Sequence, residues 1–483
     1  MTRPREEMLA ALASQEFDVL VLGGGIVGAS VARDAAMRGL RTALIERRDF
    51  ASGTSGRSSR LLHGGLRYLA QGRIGLVHEA SVEKKVIHEI APHLAAPLPF
   101  VFPTYQNNRE WKLWQLKIGV KLYDLLCGGR NLGPSSWLDA EGVLAKAPGL
   151  AKEGLSGGVR YFDGFTNDAR LVMDSLRSAA RHGAVVVNDT RFLNATRGGQ
   201  WEYEIEDSLA GQKLAVRART VVNATGPWAD GLPHSAVKLR LTKGVHLVAR
   251  QDRLPVRETI VMTEGSRILF VIPWGERVIL GTTDTDYDGP PEAVATDEAD
   301  MAYILGITNT FFPQGKLTRE DIISTWAGLR PLIADPSGKP SDISRSHEIT
   351  NPEPHWWDVA GGKLTTCRLM AEQTVDKLIA SARLSAQPCR TARTPLLEPG
   401  GAAFSGLVPP KATRDATAHF CTEEWASRLD DVMIRRSGWH YYHADAPAVA
   451  ERVSRWMAEI LRWPEERRLS ELGSYLAAHP QVP

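Results

Sequence analysis

The 483-residue chain carries 58 Lys and Arg against 56 Asp and Glu, a formal charge of +2, so it lacks the concentrated basic character expected of a nucleic-acid-binding protein. With 43 % hydrophobic and 24 % charged residues it has the makeup of a folded protein rather than a disordered or collagen-like one, and its length exceeds what one core organises, so two or three domains are expected. Cys127, Cys367, Cys389 and Cys421 form no CxxC or Cys/His cluster, which argues against a disulfide framework or metal site and fits a reducing cytoplasmic compartment; no run nears the roughly 18 apolar residues of a spanning helix, and the first residues lack the core of a signal peptide.

In chain order, Phe17 to Leu22 (FDVLVL) reads as a strand ending in three glycines, Ala29 to Arg38 as a helix closed by Gly39, and Arg41 to Glu46 (RTALIE) as the next strand. This is the opening βαβ unit of a doubly wound sheet. Asn167 and Asp168 cap a second amphipathic helix that stops at Gly183, and AVVVN and VRARTVVNATG follow as strands. From Arg240 to Thr285 short β-rich segments alternate with polar turns, predicting an antiparallel domain, followed by a helix over Thr296 to Phe312. DVAGGKLTTCRLMAEQTVDKLIA then reads as strand, glycine loop and helix, a return to the first domain. Residues 384–411, rich in Pro and Gly, read as a linker. EEWASRLDDVMIRR, APAVAERVSRWMAEIL and PEERRLSELGSYLAA have helical periodicity. The expected organisation is a discontinuous cofactor domain (16–90, 155–235 and 340–383), a substrate domain (91–154 and 236–339), the linker, and a helical domain over 412–483.

Gly23, Gly25 and Gly28 supply G-x-G-x-x-G: the first permits the tight turn, the second the approach of a pyrophosphate, the third close helix packing, with the helix N-terminus facing the phosphates. Glu46, about 20 residues on, is placed to accept hydrogen bonds from a ribose. Arg47 and Arg48 read as solvated loop charges. The hydroxyl-rich stretch ASGTSGRSSRLLHGGLRYL and the late loops NATGPW and GGKLTT suit a long flavin cofactor better than a nicotinamide, because backbone donors near N1 and O2 stabilise an anionic reduced ring.

At TSGRSSRLLHGGLRYL the chain resembles the FAD-dependent glycerol-3-phosphate dehydrogenases of the D-amino-acid-oxidase-like flavoprotein family. The likeness extends through GGGIVGASVARDAAMRGL, FTNDARLV, NATGPWAD, LTKGVHLV, FVIPWGERVILGTTDTDY, WAGLRPL, GGKLTTCR and DDVMIRR. It departs at Gly56 and Arg57, where the family usually has a serine and a small residue, and in a short C-terminal part that leaves a homodimer open. The resemblance implies an α/β fold: an FAD-binding Rossmann-like three-layer domain, an antiparallel β-rich substrate domain and a C-terminal α-helical domain. It places Thr54, Ser58, Ser59, Leu62, His63, Thr225, Gly226, Gly362, Leu364 and Thr365 against FAD. It places Arg67, Tyr68, His246, Thr283, Arg330, Arg345 and Lys363 around the substrate, which would be glycerol 3-phosphate or a similar polyol phosphate, oxidised to dihydroxyacetone phosphate in the case of glycerol 3-phosphate.

Oxidising a secondary alcohol needs a hydride acceptor, which the resemblance implies is flavin N5, and a nearby base. His246 is the leading base; Arg330 is the rival centre, polarising the hydroxyl. A phosphate dianion asks for converging cations, for which Arg67, Arg345 and Lys363 are the candidates. REWKLWQLKIGVKLYDLL places Trp111, Trp114, Ile118, Leu122 and Leu125 at helical spacing among lysines, the composition either of a core helix or of one lying in a membrane interface. The resemblance favours the second, with a peripheral enzyme reducing a membrane quinone (ubiquinone or menaquinone) at the cytoplasmic face. An oxygen-using oxidase acting on an amine or 2-hydroxy acid, and a flavin-binding protein without catalysis, remain the other readings.

Overall fold

The computed structural model describes residues 3–65, 69, 72–107, 111–127, 131–197, 201–265, 267–334 and 347–480. Arg67, Tyr68 and Arg345, three of the expected substrate contacts, lie outside the described residues.

The apolar run of Glu16–Leu22 is fully buried from Val19 to Leu22, as a strand covered on both faces requires. Each such aliphatic side chain contributes about 1.5–3 kcal/mol on burial. The strand pairs in parallel with Gln212–Asn223 on one side and Thr42–Ile45 on the other. Trp356–Gly361 and Val185–Val187 extend the parallel set at its two ends, and His347–Glu353 closes one edge antiparallel. Helices Ile26–Met37, Asp168–Arg181 and Cys367–Ala382 pack together over this sheet. The Asn167 side chain caps the second of them and Gly183 (φ +96°) follows its end.

The second sheet is built on Leu239–Arg250, which pairs antiparallel with Arg277–Gly281 and with Ile322–Ile333. Period-two alternation sends Val245, Leu247 and Ala249 into one core and leaves His246 and Val248 on the other face. The sheet is mixed rather than purely antiparallel, because Thr259 and Ile260 pair in parallel with Phe100 and Val101. Leu155–Thr166, which the sequence groups with the first unit, pairs along its whole length with Ala95–Tyr105. The chain therefore passes from the second sheet to the first at Asn167. The segment after Glu46 also leaves the first sheet, ending in Leu61–Leu62 on the second. That crossing puts residues 52–65 between the two sheets.

Residues 384–411 form a docked strap: Leu396 and Leu397 are buried in the first core, and the Arg33 guanidinium donates to the carbonyls of Thr391 and Thr394. Beyond it, Arg414–Glu423, Ala446–Leu461 and Glu465–Ala478 are helices as expected. EEWASRLDDVMIRR is not one continuous helix. Trp425 takes a left-handed backbone (φ +57°), and the chain coils again from Leu429, with Asp431–Arg436 a π-helical turn that lets the consecutive Arg435 and Arg436 both reach Asp49.

Candidate functional site

Two cavities meet between the sheets. The first, about 280 Å³, follows the glycine turn and is bordered by Gly23, Gly25, Glu46, Thr225 and Gly226. The second, about 520 Å³, opens beside it and is bordered by Ser59, His63, His246, Arg330 and Lys363. Thr54, Ser55, Gly362, Lys363 and Leu364 line both, so the two are one continuous trough.

In the first cavity the glycines do what their spacing predicts. A Cβ on Gly28 would stand 1.9 Å from the Gly23 carbonyl oxygen, so only glycine lets the helix sit this close to the turn. The Glu46 carboxylate accepts from Gly24 N at 2.7 Å and Arg48 N at 3.0 Å while still facing the cavity, and burial raises its pKa. Thr225 is fixed by Oγ1 donating to Asn223 at 2.7 Å, and at Gly226 a Cβ would meet nothing within 4 Å, leaving open space. Arg47 is not a solvated loop charge: it pairs with Glu292 and lies 4.4 Å over the Trp228 ring, whose Nε1 donates to Glu292 at 2.7 Å.

In the second cavity, strand register assembles the floor. Thr242 pairs with Arg330, Gly244 with Gly328 and His246 with Trp326, so all six share one face of two neighbouring strands. The Arg330 guanidinium lies across Gly244, where a Cβ would stand 2.5 Å from Nη2. It is held by Asp284 Oδ1 and Thr282 Oγ1, each at 3.1 Å, and by the Thr283 carbonyl. His246, 2 % exposed, has Nε2 2.7 Å from Ser59 Oγ and its ring stacked 5.1 Å from Trp326. Burial, then Arg330, then Arg60 lower its pKa to about 3, so the imidazole is neutral.

Several expected contacts are placed otherwise. Thr283 does not face the cavity: its Oγ1 accepts from Val245 N at 3.0 Å, and the alternation of an extended chain turns Thr282 and Asp284 inward instead. Leu62 is fully buried in the core and lines neither cavity. Ser58 borders the second cavity, but its hydroxyl is tied to Asp168 at 2.7 Å. His63 and Thr365 border the second cavity and are joined there, His63 N donating to Thr365 Oγ1 at 3.1 Å. The sequence reading missed Ser55, whose Oγ accepts from Ile26 N at 2.9 Å at the helix start, although it stands in the same hydroxyl-rich run as Thr54 and Ser58. It also missed Asp284 and Trp326, which only the strand pairing brings to the site.

These residues fit FAD. A close glycine turn at a helix start, a carboxylate at the end of the second strand, an unfilled cradle at Gly226 and a trough that continues past them suit a dinucleotide bearing a ring system. Fold and site thus define a flavoprotein, and the chain belongs to the family described as FAD dependent oxidoreductase, which matches residues 18–376. Within that family it is 40 % identical over 521 residues to glycerol-3-phosphate dehydrogenase 2 of Mycobacterium tuberculosis, covering 96 % of this chain and 88 % of the relative. It is 38 % identical over 404 residues to the aerobic glycerol-3-phosphate dehydrogenase of Staphylococcus aureus, covering 81 % and 72 %. The glycerol-3-phosphate dehydrogenase from Bacillus halodurans, solved in complex with FAD, superposes with a TM-score of 0.80 at 28 % identity, covering 98 % of this chain and 96 % of that one.

Proposed function

We propose that this flavoprotein oxidises the secondary alcohol of sn-glycerol 3-phosphate to dihydroxyacetone phosphate and passes the electrons to a membrane quinone. The observation that carries the reading is Arg330, clamped over Gly244 at the floor of a cavity continuous with the dinucleotide trough. The names of the 40 % and 38 % identical relatives support the substrate. In this reading the first sheet with its helices holds the cofactor, and the second sheet supplies the substrate floor.

FAD, when bound, supplies the hydride acceptor. Arg330 polarises the alcohol oxygen and stabilises the charge that develops there, for which Asp284 and Thr282 fix its fork in advance. Lys363, with Arg67 and Arg345, grips the phosphate. The hydroxyl proton leaves through Ser59 to His246 Nε2, 2.7 Å away. An imidazole with a pKa of about 3 is a weak acceptor by itself, but the negative charge developing on the alcohol oxygen at Arg330 offsets one of the charges that lowers it.

The far wall of the second cavity is apolar, with Phe100, Phe102, Val261 and Phe270, and reaches Trp111 at the foot of helix Leu113–Leu126. On that helix Leu116, Val120 and Tyr123 are buried, while Trp114 (59 %), Ile118 (60 %) and Leu125 (74 %) are exposed beside exposed Trp137. An apolar route ending at an apolar surface helix ringed by Lys112, Lys117 and Lys121 supports a lipid-soluble acceptor and peripheral seating on an anionic bilayer. No helix among the described residues is long and apolar enough to cross a membrane.

Anaerobic addition of glycerol 3-phosphate to the purified holoprotein tests the substrate: the visible flavin band bleaches, and glycerol at the same concentration leaves it unchanged. Bleaching by an amino acid or a 2-hydroxy acid instead, with peroxide released in air, would replace this reading with the oxidase.

A further inference from the structure

Arg60 has no part in the chemistry above, yet its side chain is sealed in the wall behind the site, with the residue 4 % exposed. It follows Ser59 with a left-handed backbone, φ +58°. Its guanidinium carbon lies 4.2 Å from the ring centroid of Trp274 and 5.3 Å from that of Trp326. Its ion partner among the described residues is Asp168, 3.8 Å from Nε. The Asp168 oxygens are already taken up by Ser58 N, Ser58 Oγ and Ala169 N, and Arg60 Nη1 has no hydrogen-bond partner among the described residues. A buried cation this thinly compensated is costly, and an aliphatic side chain would fill the same space at less expense.

What Arg60 faces gives the cost a purpose. Trp326, under its guanidinium, stacks at 20° on the His246 ring and donates from Nε1 to the Ser58 carbonyl at 3.2 Å. Ser59, the preceding residue, touches His246 Nε2 directly. The loop 58–60 thus meets the imidazole twice, once by a hydroxyl and once through an indole carrying a cation.

We propose that Arg60 is a positioning residue for His246: acting through Trp326, it braces the ring in its stack and sets a fixed positive charge behind the imidazole. The proposal rests on the reading of His246 as the proton acceptor. From the strand Ile322–Ile333 His246 faces Arg330, whose charge is matched by Asp284; from the strand Arg277–Gly281 it faces Gly281, which carries none; from the loop it faces Ser59 and Arg60. Burial, Arg330 and Arg60 act in that order to keep the ring unprotonated. When substrate occupies Arg330, Arg60 is the cation left to do so.

The test is a pH titration of ring-13C-labelled histidines in the FAD-loaded holoprotein without substrate, the His246 signal being assigned by its loss in His246→Gln. In the wild type the signal stays at its neutral position from about pH 8 to about pH 5, the window in which an ordinary histidine titrates. In Arg60→Met the midpoint rises by about one unit or more, bringing the signal into motion at the acid end, and Arg60→Lys restores the wild-type trace. A His246 signal that behaves alike in wild type and Arg60→Met, or an Arg60→Lys protein that behaves like Arg60→Met, overturns the proposal. Arg60→Gln is the second neutral variant should Arg60→Met fail to retain flavin. If glycerol 3-phosphate does not bleach the wild type, the substrate reading fails, while the titration, which uses no substrate, still decides the role of Arg60.

Discussion

Arg330 owes its place to three neighbours, of which Asp284 alone carries a charge. Gly244 leaves the space, Thr282 takes one nitrogen, and Asp284 takes another at 3.1 Å without burying the pair completely. A guanidinium fixed in this way stabilises developing negative charge at no cost of reorganisation, and removing such a donor costs on the order of 10²–10³ in kcat. Arg330→Ala is expected to lose at least that factor in glycerol 3-phosphate turnover while the flavin-to-protein ratio stays at the wild-type value, since Arg330 borders the second cavity and not the first. Steady-state assay with an artificial dye acceptor, beside the absorbance ratio of the purified variant, checks both halves. At this scale the motif located Gly28 against the glycine turn and Glu46 at the edge of the first cavity, because each place is tied to one short stretch of chain. It misjudged Thr283 and Leu62 because a motif names a stretch of chain and not the side of the strand on which each residue points.

Helix Leu113–Leu126 shows the same limit for a whole element. Its apolar positions number more than one face can bury, and the structure divides them: Leu116, Val120 and Tyr123 go inward, and Trp114, Ile118, Leu122 and Leu125 go out. Trp111, which the spacing groups with the outer set, instead packs half-buried, 5.3 Å from Phe102, and donates to the Gly265 carbonyl. The protein is therefore expected to float with anionic liposomes at low salt, and Trp114→Ser combined with Leu125→Ser should leave most of it in the soluble fraction with glycerol 3-phosphate bleaching intact. Each exposed aromatic or leucine inserted into an apolar phase contributes roughly 1.5–3 kcal/mol, enough for two changes to shift the partition by about a hundredfold or more. Co-sedimentation of the double variant at the wild-type level sinks the membrane reading. The continuous helix over 423–436 fails at a different place: Leu429, Val432 and Met433 do form a buried stripe, but the chain leaves the helix over 424–428, where Trp425 takes a left-handed backbone, and its last turn is wound so that Arg435 and Arg436 both reach Asp49.

Over the whole molecule, buried ion pairs tie the parts together. Arg170, on the helix that follows the crossing between sheets, makes a two-pronged contact with Glu424 at 2.5 and 2.7 Å and another with Asp174. Burial alone would raise the Glu424 pKa; Arg170 overrides it and holds the carboxyl well below the usual range. The sign follows from linkage: a depressed carboxylate stabilises the fold above its unfolded pKa, and the contribution is lost as pH falls through the native value. Glu424→Gln leaves the buried Arg170 charge to Asp174 alone and is expected to cost up to about 3–5 kcal/mol at neutral pH. The deficit against wild type should narrow on acidification, when the wild type too must protonate Glu424. Thermal unfolding of both proteins at neutral and at acid pH measures it, and an unchanged midpoint at neutral pH would remove this pair as the joint between the C-terminal helices and the rest.

The sequence by itself determined the βαβ opening, the dinucleotide-type glycine turn with its carboxylate, the β-rich second unit and the helical C-terminal part. These follow from local spacing, because hydrophobic period and glycine placement act within a few residues of where they are written. Only the tertiary structure decided that Leu155–Thr166 joins the second sheet, that Arg330 rests on Asp284, that Trp326 lies between Arg60 and His246, and that the strap from 384 to 411 is docked. Those are pairings between residues tens to hundreds of positions apart, and nothing in a local pattern fixes the register in which two distant strands meet.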